Sequence, residues 1–116
     1  AVQFEIARTY FRAGAMPKAR EAYEALITRY PKSKSVERSR LGIAETYFRE
    51  AAYAEAAARY EAFLKEHPDS PLVADAAFNR CVSLAALGDD KATVDAFQSF
   101  LDKYPTSPLA ASALFW

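Results

Sequence analysis

Three stretches of this chain repeat one another at an interval of 37 residues, and that interval limits the possible folds more than any other feature. Tyr30-Pro31-Lys32-Ser33, His67-Pro68-Asp69-Ser70 and Tyr104-Pro105-Thr106-Ser107 coincide when shifted by this period. The correspondence runs through the whole unit. Phe4, Leu41 and Phe78 align, as do Ala7, Ala44 and Cys81, then Tyr10, Tyr47 and Leu84. Tyr23, Tyr60 and Phe97 follow, then Leu26, Phe63 and Phe100, then Ile27, Leu64 and Leu101. Self-similarity over a few tens of residues marks an array of small supersecondary units, each unable to hide its apolar face alone.

Within each unit the apolar residues recur at three and four positions, the period of one helix face. Phe4, Ala7, Tyr10 and Phe11 form one stripe; Ala19, Ala22, Tyr23, Leu26, Ile27 and Tyr30 form the next. Gly14-Ala15-Met16-Pro17 divides them, with glycine after one helix and proline opening the other. Glu50-Ala51-Ala52-Tyr53 and Leu87-Gly88-Asp89-Asp90 are the equivalent breaks, short enough that the flanking helices must run antiparallel. Proline after Tyr30, His67 and Tyr104 ends the second helix of each unit, because the preceding residue is driven out of the helical region. The pattern predicts helices near 2–13, 16–30, 36–50, 53–66, 72–87, 90–103 and 108–116. Ser35, Ser70 and Ser107 are predicted to cap the helices that follow them, and Pro71 and Pro108 to sit in their first turns. Small residues at Ala7, Ala44 and Cys81 are expected to face Ala19, Ala56 and Thr93, so that paired helices approach closely. The third unit is the least regular, with Leu84, Ala85 and Thr93 where the others hold Tyr, Phe and Ala.

The expected architecture is all-α: a right-handed α-solenoid of antiparallel helix hairpins. One continuous array spans 1–116, with units at about 1–34, 35–71 and 72–108 and a truncated further helix at 108–116. No Gly, Ser or Pro-rich linker interrupts it. The last residues, Leu109 to Trp116, begin a helix whose apolar face has no polar cap. That feature leads to the expectation that the chain is a piece of a longer array, and that its exposed C-terminal helix self-associates. No signal-peptide pattern opens the chain.

Composition narrows the function. The chain carries 15 basic and 15 acidic side chains, and 52% of its residues are hydrophobic, which suits a globular domain. The charge is unevenly placed, with ten Lys or Arg against five Asp or Glu in residues 1–49 (+5), and five against ten in 50–116 (−5). A uniform basic field for nucleic acid is absent, as is any aromatic-basic motif of an RNA-binding module. No run of apolar residues reaches the roughly 20 that a membrane helix needs. One cysteine, Cys81, rules out an internal disulfide. It fits a reducing compartment such as the cytoplasm and equally a periplasmic protein without disulfides.

The spacing of Ala7, Gly14, Ala19, Tyr23, Leu26 and Pro31 resembles the tetratricopeptide consensus, over essentially the whole chain. The Tyr-Pro-x-Ser-Pro ending and the slightly long period are similar to bacterial envelope members. These are the lipoprotein of the outer-membrane β-barrel assembly machinery and the periplasmic coordinator associated with the Tol-Pal system; Tyr104 to Ala110 is the most similar stretch. The resemblance implies a protein-binding scaffold at the periplasm or the periplasmic face of the outer membrane. It also implies that the first helix of each hairpin lines a concave face that takes a partner peptide or helix. By position that lining is Phe4, Arg8, Phe11, Arg12, Arg38, Leu41, Glu45, Phe48, Arg49, Asp75, Phe78, Asn79 and Val82. Members that clamp the C-terminal carboxylate of chaperones hold Lys and Asn at set positions. Here those positions carry Phe4, Arg8, Gly42, Asp75 and Asn79, and only Asn79 fits, so that ligand is not expected.

Aromatic and arginine residues together match the make-up of binding hot spots, and the expected guest carries apolar anchors with acidic groups near the basic end. A purely structural role stays open for each residue. Phe4, Leu41 and Phe78 serve packing equally well, and arginine stems cover apolar surface without recognising anything. Phe11 and Phe48 follow Tyr10 and Tyr47 directly, so one of each pair is expected to be exposed or half-exposed. An alternative function is a structural module that self-associates into oligomers or filaments through its oppositely charged halves.

Catalysis, metal and cofactor find no support in the sequence. His67 occupies a structural column shared with Tyr30 and Tyr104, where packing or a local hydrogen bond is expected, and Cys81 stands in the small-residue column, where a buried inert thiol is expected. One His and one Cys give neither a metal set nor a nucleophile–base pair. The three glycines, at 14, 42 and 88, form no phosphate loop.

Overall fold

A computed structural model describes residues 2–105. Six helices follow one another: α1 (Val2–Arg12), α2 (Met16–Arg29), α3 (Val36–Arg49), α4 (Tyr53–Glu66), α5 (Val73–Leu87) and α6 (Asp90–Lys103). Among the described residues there is no strand. The helix expected at 108–116, and with it the apolar C-terminal face, Ser107 and Pro108, lies outside the described residues.

Each helix packs on the one before and the one after it in the chain, giving a helical solenoid of hairpins. The turns recur with the sequence. Inside the first hairpin the amide of Gly14 donates to the Phe11 carbonyl and that of Ala15 to Tyr10; 37 residues on, Ala51 donates to Phe48 and Ala52 to Tyr47. These bonds satisfy the last carbonyls of the helix and require a left-handed residue at the turn. Gly14 and Gly88 supply it at φ +83°, but the middle turn places Ala51 there, at φ +61°. Between hairpins, Ser33 donates to the Tyr30 carbonyl and Ser70 to that of His67, again one period apart.

The serines act differently from the sequence expectation. Ser35 is the residue before α3 but makes no side-chain cap, and Leu72, not Ser70, precedes α5. The working side chains are Ser33 and Ser70, whose Oγ atoms accept from the amides of Ser35 (3.1 Å) and Leu72 (3.0 Å). Each hydroxyl therefore closes a turn two residues long before the helix begins, and Pro71 lies in that turn rather than in the first helical turn. The one side-chain cap among the described helices is Asp89, whose Oδ1 accepts from the Ala92 amide.

Three apolar clusters follow the three hairpins. Ala7, Ala19 and Tyr23 join Ile43 of the next hairpin; Leu41, Ala44, Ala56, Tyr60 and Phe63 join Ala76; Cys81, Ala96, Phe97 and Phe100 form the third. Tyr47 packs against the first two clusters and ties them together. Its ring lies under the Arg20 guanidinium at 4.2 Å, and Arg20 also bonds the Thr46 hydroxyl and Glu50. A half-buried arginine that stacks, hydrogen-bonds and pairs at once holds α2 on α3 more firmly than an isolated surface pair does. Phe48, the neighbour of Tyr47, turns the other way. Both members of that pair are half-buried, while of the earlier pair Tyr10 is exposed and Phe11 half-buried.

Gly42, in the middle of α3, is set by close approach. A Cβ built there would stand 2.5 Å from Cζ of Tyr23, whose ring is itself buried. Helix propensity favours alanine over glycine by about 1 kcal/mol, and overpacking a fixed ring costs about 1–3 kcal/mol. Gly42→Ala therefore destabilises the array by roughly 1 kcal/mol, whereas Ala51→Gly stabilises it by about 0.5 kcal/mol by relieving the left-handed turn. Urea denaturation of both variants checks the pair; equal shifts, or shifts of reversed sign, contradict the two local geometries.

Candidate functional site

The inner helices α1, α3 and α5 present their columns to one groove of about 720 Å³. Its walls come from Phe4 and Arg8 of α1, from Arg38, Leu41, Gly42, Glu45, Phe48 and Arg49 of α3, and from Asp75, Phe78 and Asn79 of α5. Residues four and three apart on α3 lie on one face by helical geometry, which is why a single helix supplies so much of the lining. Leu72, from the turn before α5, completes one edge. Tyr23 and Tyr60 come from the outer helices α2 and α4 and pass between the inner ones to form the floor.

Ten of the thirteen positions expected from sequence thus meet in one groove. Phe11, Arg12 and Val82 do not line it. Phe11 packs half-buried on the first cluster and serves as a platform for Arg49, whose guanidinium lies 5.5 Å from the ring centre. Arg12 is exposed at the end of α1, and the short side chain of Val82 packs into the third hairpin's cluster. Phe4, Leu41 and Phe78 do both things weighed for them: they pack on their own hairpins and face the groove. Phe4 stacks obliquely on Tyr23, Phe48 meets Tyr60 and Tyr53 edge to face, and Phe78 meets Phe97 and Phe100. Such edge contacts fix the rings before any guest arrives.

The charged residues of the groove are left open. Arg8, Arg38, Arg49, Glu45 and Asp75 have no ion pair within 4.0 Å among the described residues. Arg8 rests over Phe4 at 5.9 Å. Burial pushes the Glu45 carboxyl above its ordinary value, and nearby Asp75 pushes the same way, against the pull of Arg49 and Arg8. Burial also raises the Tyr60 phenol, helped by the charge on Glu45. The Tyr60 hydroxyl is fully buried with no hydrogen bond of full geometry, and loose hydrogen bonding from the nearby Asn79 side chain pulls the phenol the other way. Leaving such a group unsatisfied costs about 1–3 kcal/mol.

Other polar residues are explained locally. Cys81 is buried, and its thiol is pushed up to about 11 by that burial, so the thiolate is scarce at neutral pH. His67 stacks on Phe63 at 5.2 Å, its Nε2 buried without a hydrogen bond; packing, of the two local roles expected, is what it does. Among the described residues no three His, Cys, Asp or Glu side chains are grouped to hold a metal ion.

Residues 1–115 match the family model YfiO, described as outer membrane lipoprotein. No curated protein matches the chain.

Glu45 gives the groove a pH signature. A carboxyl whose folded value lies above its ordinary 4.5 binds its proton more tightly in the folded chain than in the unfolded one. Its contribution to stability is complete below the ordinary value and is lost as pH rises through the raised value. Glu45→Gln removes that loss, so the variant is more stable than the parent at pH 7 and the gap closes toward pH 4. Thermal melts across that range test this; a variant less stable than its parent at pH 7 refutes the burial account of Glu45.

Proposed function

The chain belongs to the YfiO family of outer membrane lipoproteins, and from that premise we propose that it is a protein-binding scaffold of the bacterial envelope. It works at the periplasmic face of the outer membrane, in envelope assembly or coordination, by holding a partner segment in the groove between α1, α3 and α5. No helix among the described residues is long and apolar enough to cross a membrane, which suits a chain held at the bilayer by lipid and otherwise bathed in water.

The observation that carries this reading is the groove's combination of fixed aromatic rings and uncommitted charge. Phe4, Phe48 and Phe78 are ordered by ring contacts within the protein, so little ordering cost remains when a guest packs on them. Arg8, Arg38 and Arg49 are open to acidic groups, and planar guanidinium forks bind carboxylates in defined geometry. The guest is a segment with apolar anchors and acidic side chains that meet these arginines. Recognition, not bond-making, is the work assigned to these residues.

Crosslinking tests the site, and affinity tests the chemistry. In the full-length protein, a photoreactive amino acid at Phe78 captures a specific envelope protein, and the same group at the outward-facing Glu61 does not. Replacing Arg8, Arg38 and Arg49 together by alanine weakens binding of the captured protein by about tenfold or more, the usual effect of losing one or two hot-spot residues. Unchanged affinity with the fold intact by circular dichroism removes the arginines from the reading. Capture at Glu61 alone removes the groove.

A further inference from the structure

Acidic guest groups account for the arginines of the groove but not for its centre. Glu45 of α3 and Asp75 of α5 face the same space from adjacent hairpins, close enough for the charge of one to act on the other. Arg49 and Arg8 draw on Glu45 only from a distance, Arg49 resting over Phe11 and Arg8 over Phe4, and neither comes within ion-pair range of it. Neither carboxylate has a cation within 4.0 Å among the described residues. The Tyr60 hydroxyl, on a side chain with 0% exposure, makes no hydrogen bond of full geometry, and the Asn79 side chain beside it offers only a loose one. Glu45, Asp75, Tyr60 and Asn79 thus line one stretch of the groove, with Glu45 acting electrostatically on both Asp75 and Tyr60 and Asn79 beside the Tyr60 hydroxyl, and Leu41, Phe48 and Phe78 line the same groove.

We propose that this floor is a subsite for a basic side chain of the guest, seated between Glu45 and Asp75 with its N–H groups donating to the carboxylates, the Tyr60 oxygen and the Asn79 carbonyl. The inference rests on the groove being the binding site and adds what the guest must carry at its centre. Arginine fits better than lysine, because its five donors in a planar fork match several converging acceptors. Along α3, Leu41 and Phe48 stand four and three residues from Glu45, about 6 and 4.5 Å in helical rise. The guest's flanking residues are therefore apolar and lie about one helical turn to either side of the cation. Its acidic groups lie further out, toward Arg38 and Arg49. An uncharged guest leaves Glu45 desolvated and unpaired, so the site discriminates as well as attracts.

The test uses three blocked, helix-forming 14-residue peptides with leucine at two positions seven apart. Between them stands arginine, norleucine or glutamate. Binding to the full-length protein is followed by fluorescence anisotropy. The arginine peptide is expected to bind at least tenfold more tightly than the norleucine peptide, with the glutamate peptide weakest. In the double variant Glu45→Gln, Asp75→Asn the three converge, and Tyr60→Phe narrows the arginine advantage without unfolding the chain. Equal binding of the arginine and norleucine peptides overturns the subsite, as does no binding of the arginine peptide at millimolar concentration. The groove itself is judged separately. If Phe48→Ala weakens the arginine and norleucine peptides alike, the groove stands whatever the fate of the subsite; if it weakens neither, the peptides bind elsewhere and both readings fall.

Discussion

The structure depends on the passage of an aromatic side chain from α2 and from α4 between two successive inner helices. Tyr23 enters between α1 and α3, and Tyr60 between α3 and α5. Without these rings a hairpin has an uncovered stripe and no reason to take a defined rotation against its neighbour. With them the stack acquires both its core and the spacing of its inner helices. Gly42 shows how closely the fit is drawn, since the Tyr23 ring occupies the space where any other residue would place its Cβ. The same rings end as the floor of the groove. Fold and site are therefore one piece of packing, and the groove needs no loop to shape it.

Packing of this kind leaves polar consequences. A tyrosine chosen to fill a deep gap brings a hydroxyl to its far end, and the three occurrences resolve it differently. Tyr23 lies near solvent and the charges of the first hairpin, where burial and Glu45 still raise its phenol while Arg8 opposes them. The third copy is Phe97, with no hydroxyl to satisfy. Only Tyr60, between two complete neighbours, is fully enclosed. The hydroxyl column of the inner helices shows the ordinary solution by contrast. Thr9, Thr46 and Ser83 each return their proton to a carbonyl one turn earlier, at 2.8, 2.6 and 2.8 Å. That bond lets Thr46 and Ser83 be buried without penalty. Tyr60 has no such local carbonyl, because its oxygen lies beyond its own helix.

Much of the fold was legible because the period of 37 and the helical period are properties of one strand of text. The helices fall where apolar spacing and the proline after each second helix put them, with small differences at the ends. Turn chemistry was half legible. The repeating serine was recognised, but its partner lies two residues on, within the turn, and the helix starts later than the serine suggested. Asp89, read only as part of the break before the sixth helix, is the residue whose side chain caps it. The groove was read from one face of the inner helices, which explains both the ten positions that meet and the three that do not. Phe11 and Val82 lie on that face by numbering, but the local rotation of each hairpin turns them to the core. The floor was missed because Tyr23 and Tyr60 belong to other helices, and their reach across a helix pair depends on the interhelical angle, which no single-helix pattern encodes. Gly42 was the available signal: a glycine inside a strong helix asks what passes beside it.

The arrangement of charge in the groove favours discrimination over strength. The arginines rest on aromatic faces and act on the carboxylates only across more than ion-pair distance, so neither sign is neutralised by direct contact. An uncharged apolar segment would find the rings but would strip water from Glu45, Asp75 and the arginines without compensation, a loss that grows as the groove closes around it. A segment whose charges alternate in the matching order recovers that loss at each step. Correct guests are thus separated from greasy ones mainly by the cost imposed on the wrong partner. On the proposed reading, the unpaired charge that weakens the empty groove is also what makes its occupancy selective.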